Sequence, residues 1–168
     1  MKYRMVKMRR GQIVAVDLIF AALIFTILLT AIILFWDRGE AKIQERATVN
    51  EMENRLVQIS GLLVGCGGWP PDWEANVSSV EVLGLAQADR VLAADKVAAF
   101  VNLTHSDYGQ VRELLGIQQY GFHFLLEDLN GTTLIEGGTR PTGHWVVSTT
   151  RYVEYNGKTA QAGFSIWK

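Results

Sequence analysis

Few of the residues that ordinarily do chemistry stand in a pattern that could do it. His105, His123 and His144 are scattered, with no second ligand at i+3 or i+4, so the spacing of a metal site is missing. Cys66 is the single cysteine, and no internal disulfide can form. It sits beside a turn in Val64-Gly65-Cys66-Gly67-Gly68, where a small buried thiol is the expectation. No G-x-S-x-G or Walker pattern occurs, and the glycines at 65–68 lack the Lys-Ser/Thr of a phosphate cradle. Glu127 and Asp128 are adjacent acids beside a turn, a solvated arrangement. The expectation is no catalysis, no metal and no cofactor. Three features remain. Asp17 is a lone acid in an apolar run. Gly11 is a small residue between the basic pair Arg9-Arg10 and Gln12. Asn76-Val77-Ser78, Asn102-Leu103-Thr104 and Asn130-Gly131-Thr132 are Asn-x-Ser/Thr triplets, where an oligosaccharide can be carried. At Asn130 the Asn-Gly pair is already accounted for by a turn.

The element that positions Gly11 and Asp17 is the longest apolar stretch of the chain. From Ile13 to Trp36 the only ionisable residue is Asp17. A bilayer core of about 30 Å takes roughly 20 helical residues, so the stretch can span it. A helix is the single-segment solution, because each backbone N–H must be satisfied inside lipid. Lys2, Arg4, Lys7, Arg9 and Arg10 precede it, with no acid among them, which places the tail on the cytoplasmic side and everything after Trp36 outside. An ordinary secretory signal has a shorter core and a small-residue site behind it. This run ends instead in Phe35-Trp36-Asp37-Arg38, and the small residue, Gly11, lies ahead of it. A carboxylate inside a span costs about 2.5–3.5 kcal/mol on insertion scales, so Asp17 is a functional candidate.

Basic tail, Gly11, Gln12 and a long apolar helix resemble the class III signal of archaeal type IV pilin-like proteins. The resemblance implies that a prepilin peptidase cuts between Gly11 and Gln12, and that the helix stays as anchor and filament core. It implies that Asp17 pairs with a free N-terminal amine, its own or a neighbouring subunit's. An acid near a new helix N-terminus is also favoured by the macrodipole. Many such pilins carry Ser at the third mature position and Glu at the fifth. Here those are Val14 and Val16, and the acid is sixth, as in a subset of the family. The implied partners are the prepilin peptidase, other pilin subunits through the helix, and the membrane.

The 168 residues divide into a leader (1–11), an assembly helix (12–36) and one outer head (37–168). The net charge is −1, and five of the sixteen basic residues lie in the tail. The head is therefore acidic, which argues against nucleic acid as a partner. The helix is expected to continue to about Val64. Val49, Met52, Leu56, Ile59 and Leu63 form one apolar stripe at helical period. Glu51 and Arg55 form an i,i+4 pair, and Gly39 is where a kink could fall. Gly65, Gly67, Gly68, Pro70 and Pro71 stop the helix. From Gln12 to Val64 it would be roughly 80 Å long.

Trp69-Pro70-Pro71-Asp72-Trp73 reads as a rigid turn whose rings pin a loop over the helix end, and Val80 to Leu83 as a short strand. Short helices are expected within 89–116, one with Asp95 as N-cap, another capped by Ser106 and stopped by Gly116. The sheet occupies 120–168. Tyr120–Leu126 and Thr132–Glu136 flank Asn130-Gly131. Trp145–Tyr155 and Thr159–Trp167 flank Asn156-Gly157. Trp145, Val147, Tyr152, Val153, Phe164 and Ile166 can supply a buried face. Pro70 to Trp73, Gly84-Leu85-Ala86, Lys96-Val97, Tyr108 with Arg112 and Leu114-Leu115-Gly116, and Tyr120 with Phe122 are similar to the middle of several proteins of the same archaeal class. The expected fold is α+β: a long helix, membrane-spanning then amphipathic, packed against a four-stranded antiparallel head.

Two functions follow. One is a type IV pilin-like structural subunit in a surface filament, its head outward for adhesion, the head's size pointing to a minor subunit. The other is an unassembled, membrane-anchored binding or accessory module on an uncleaved signal anchor. Cleavage at Gly11 separates them.

Overall fold

The computed structural model describes the backbone of residues 4–168 and the side chains of residues 15–36 and 46–168. The first helix, α1, runs Arg4–Gly65. Gly39, where a kink is expected, lies within α1, whose helical backbone continues through it. The chain forms two compact units, Met1–Ala47 and Thr48–Lys168.

The second unit is an α+β head. Its elements after α1 are β1 (Ala86–Ala88), β2 (Val91–Leu92), α2 (Ala94–Ser106), α3 (Tyr108–Leu114), β3 (Gly121–Asp128), β4 (Thr133–Gly138), β5 (Val146–Tyr155) and β6 (Lys158–Trp167). The four expected strands are present, in the order β5-β6-β3-β4 and antiparallel throughout. The sheet is wider than expected, because β1 and β2 add a short hairpin and β2 joins β5 in parallel. Both Asn-Gly turns form. Asn156 and Gly157 have φ of 52° and 72°, the positive values that a two-residue type I′ hairpin needs and that Asn and Gly tolerate best.

The helix stripe is buried as its period requires: Met52, Leu56, Ile59 and Leu63 share one core with the sheet's inner face. Phe122, Phe124, Leu126, Phe164 and Ile166 come from alternate positions of β3 and β6. Phe100 of α2 closes the core edge-on, 6.1 Å from Phe122 and 5.7 Å from Phe124 between ring centroids. Tyr152 is not part of this face. Alternation along β5 turns Val153 inward and Tyr152 outward, and Tyr152 is exposed.

The helix ends as chain chemistry dictates. The carbonyls of Leu62, Leu63 and Val64 accept from the N–H groups of Cys66, Leu85 and Arg90, so they are satisfied by the chain that follows. Of the two tryptophans in the Pro-Pro turn only Trp73 pins it. Its ring is fully buried, and its Nε1 donates to Gly67 O and Gly84 O, while Trp69 is exposed. Val80–Leu83 is not a strand. Val82 makes a single antiparallel bridge to Trp69, whose carbonyl accepts from the N–H groups of Glu81 and Val82. A side chain at Gly84 would run into Cys66 O and Gly68 N, which fixes glycine there.

Both expected helix caps move by a residue or more. Ala93 holds the N-cap position of α2, and Asp95 accepts only from the N–H of Lys96. Asp107, not Ser106, caps α3 by accepting from Gln110 N at 2.9 Å. Gly116 ends α3 as expected. It has φ 66°, its N–H donates to Glu113 O, and Ile117 N donates to Arg112 O, the paired bonds of a Schellman motif. Glu51 and Arg55 pair at 3.7 Å on the wet side.

Candidate functional site

The apolar segment is the first candidate. Ala15–Trp36 is a 22-residue helical stretch of mean hydropathy 3.0, long and apolar enough to cross a membrane as an anchor or a signal sequence. At 1.5 Å per residue it is about 33 Å long, close to a hydrocarbon core of about 30 Å. Each of its residues is exposed among the described residues. Its two hydroxyls are turned inward. Thr26 Oγ1 donates to Ala22 O and Thr30 Oγ1 to Thr26 O, both at 2.8 Å. Neither hydroxyl hydrogen then faces the surroundings, which is what an apolar solvent requires. Asp17 stands on the third residue of the segment and is exposed. The backbone is helical through Gly11 and Gln12, whose side-chain environment lies outside the described residues.

On the head, the three asparagines are exposed but differ in setting. Asn76 lies between two short 3-10 turns, Trp73–Ala75 and Val77–Ser79. Asn102 is on α2, which continues past it to Ser106. Asn130 is in the β3–β4 turn, where Asp128 Oδ1 accepts from the N–H groups of Asn130 and Thr132, both at 2.8 Å.

Two charged clusters were not expected. Lys96 is nine-tenths buried, and its ammonium donates to Gly67 O at 2.6 Å and Pro71 O at 2.7 Å, with Glu74 Oε2 at 3.8 Å. It lines a cavity of about 430 Å³ together with Gly67, Gly68, Gln87 and Asp95. An amine so occupied is a loop tether and a poor nucleophile. A donor is expected wherever glycines and prolines turn their carbonyls inward, and Lys96 supplies it.

The second cluster is on the outer face of the sheet. Glu136 takes a forked pair from Arg140, Nε to Oε1 at 2.7 Å and Nη2 to Oε2 at 3.0 Å, and its Oε1 also meets His123 Nε2 at 3.0 Å. The Arg140 bonds, then that of His123, hold the Glu136 carboxyl down to about 2. The signal for this pair was in the sequence. A register set by the Asn130-Gly131 turn places Leu125 opposite Glu136, as found, and His123 two residues on along the same face. The remaining histidines are not brought to it: His105 is exposed on α2, and the His144 ring stacks edge-on against Trp145. Cys66 is half-buried rather than buried as expected, since it lies just past the last turn of α1 where the chain turns away.

Compared with protein-family models, curated proteins and solved structures, the chain gives no match.

Proposed function

We propose that this protein is a type IV pilin-like structural subunit, held in the membrane and assembled through its N-terminal helix, with the head displayed outside. The observation that carries the reading is one helical element, Arg4–Gly65, with two chemistries. Its apolar length is bare of cover, and its final turns are built into the core of a sheet head. Such an element couples whatever the apolar part binds to whatever the head presents. The basic tail keeps the N-terminus cytoplasmic and the head outside. A prepilin peptidase cuts between Gly11 and Gln12. The role is structural, with adhesion by the head and no catalytic step.

Asp17 is the assembly residue in this reading. On a helix, Gln12 and Asp17 are about 7.5 Å apart along the axis and about 140° apart around it. The amine released at Gln12 therefore sits poorly for its own Asp17 and well for the Asp17 of an adjacent subunit. A buried carboxylate left alone in lipid is costly, so pairing supplies both stability and register.

The test is the mass and N-terminal sequence of the protein recovered from its host's membranes, with a Gly11 variant beside it. A mature chain beginning at Gln12, blocked by Gly11→Phe together with filament formation, is the expected result. A chain that keeps Lys2 to Arg10 identifies an anchored accessory module instead.

A further inference from the structure

The three Asn-x-Ser/Thr triplets are alike in sequence, and the fold makes them unlike. An enzyme that glycosylates such a triplet must engage the asparagine amide and the hydroxyl two residues later together. At Asn102 the fold prevents this. Residues i and i+2 of an α-helix point about 200° apart, so Asn102 and Thr104 face opposite sides of α2. Asn102 is exposed, while Thr104 is 4 % exposed and wedged toward Gly137 of β4, and its hydroxyl donates to Val101 O at 2.7 Å. Reaching that hydroxyl means unwinding α2 from the core that Phe100 closes.

At Asn130 both side chains are exposed, but the amide is engaged. Asn130 Nδ2 leans on Asp128 Oδ2 at 3.5 Å, and the same carboxylate holds the N–H groups on both sides of Gly131. At Asn76 nothing competes. Its backbone is non-helical, φ −141° and ψ 80°, between the two 3-10 turns. Asn76 and Ser78 are both exposed. The Asn76 N–H donates to Trp73 O and its carbonyl accepts from Ser79 Oγ at 2.8 Å, while the Asn76 side-chain amide and the Ser78 hydroxyl are free of hydrogen bonds among the described residues.

We infer that Asn76 is the N-glycan acceptor of the folded head and that the fold closes Asn102. The transfer joins Asn76 Nδ2 to the anomeric carbon of a lipid-phosphate-linked saccharide. The bond from that carbon to the phosphate oxygen breaks, the electron pair leaves with the phosphate, and one amide proton is released. The inference rests on the head facing outward, where such donors act on exported chains.

The experiment is glycopeptide mass spectrometry on the full chain from its host, beside protease shaving of whole cells. The expected result is a shaved, outward head with saccharide on the Asn76 peptide and a bare Asn102 peptide. Ser78→Ala should then remove that saccharide without moving the thermal unfolding midpoint. Saccharide on Asn102, saccharide on Asn130 alone, or an outward head bare at Asn76 overturns the inference and leaves the outward reading standing. A head protected inside the cell overturns both.

Discussion

Arg151 and Ser60, 91 residues apart in sequence, meet through a hydrogen bond from the guanidinium Nε to the serine Oγ at 3.2 Å. Ser60 is fully buried on α1, and Arg151 stands on β5. This is a polar tie in the layer between helix and sheet, set among methionine, leucine and isoleucine. Ser60→Ala should leave the guanidinium without its acceptor and cost about 1–2 kcal/mol. Thermal unfolding of the detergent-solubilised chain, followed by tryptophan fluorescence, checks it. An unchanged midpoint would mean that water replaces the hydroxyl.

Lys96→Met should be among the most damaging single changes in the head. It leaves Pro71 O without a donor, Gly67 O with the Trp73 indole alone, and Glu74 without its cation. Breaking a pair this well covered costs about 3 kcal/mol. The double change Lys96→Met with Glu74→Leu should recover part of that loss, since the stranded carboxylate goes too. A double-mutant cycle by chemical denaturation measures the coupling.

Acid should loosen the Glu136 clamp in a defined window. The ordinary value of this carboxyl is 4.5, and in the folded head it is held to about 2. A lowered folded value stabilises fully above the ordinary one. That contribution fades as pH falls from about 4.5 toward 2. Glu136→Gln should therefore be less stable than the wild type at neutral pH, with the difference narrowing through that window. Denaturant midpoints taken every half unit of pH reveal it. A constant gap would show that the clamp adds nothing.

Asp17→Asn should leave the protein in the membrane fraction and abolish filaments. In the proposed assembly, removing the charge eases insertion and deletes the partner for the neighbouring amine. Membrane fractionation and electron microscopy of the host read the two effects separately. Filaments of normal abundance would refute pairing at Asp17.

What could be read ahead of the structure was what depends on local pattern. The stripe from Met52 to Leu63 is a period, and periods survive folding. The two Asn-Gly turns and the four strands around them are local chemistry as well. Tyr152 and Val153 cannot both face the core, because side chains alternate along β5, and Val153 is the buried one. Asp95 and Ser106 were misread because Ala93 and Asp107 win the cap positions by one or two residues, a choice made by how α2 seats on the core. The β1–β2 hairpin was illegible. Its strands are three and two residues long, and the parallel pairing of Val91 with Glu154 joins segments far apart in sequence. At the membrane end the apolar run was plain in composition, whereas the inward turn of the Thr26 and Thr30 hydroxyls is a matter of rotamer.

The place of β6 in the sheet has a consequence for how the head is made. It lies between β5 and β3, and it follows both in the chain. A ribosome therefore completes both of its flanking strands before the strand that unites them. Until β6 arrives, the sheet is two unconnected fragments, β3–β4 on one side and β1–β2–β5 on the other. Synthesis meets an open seam until β6 emerges, and closure then comes as a single event. Any chaperone that accompanies this chain has the longest work to do on β5 and β3, whose facing edges wait unpaired.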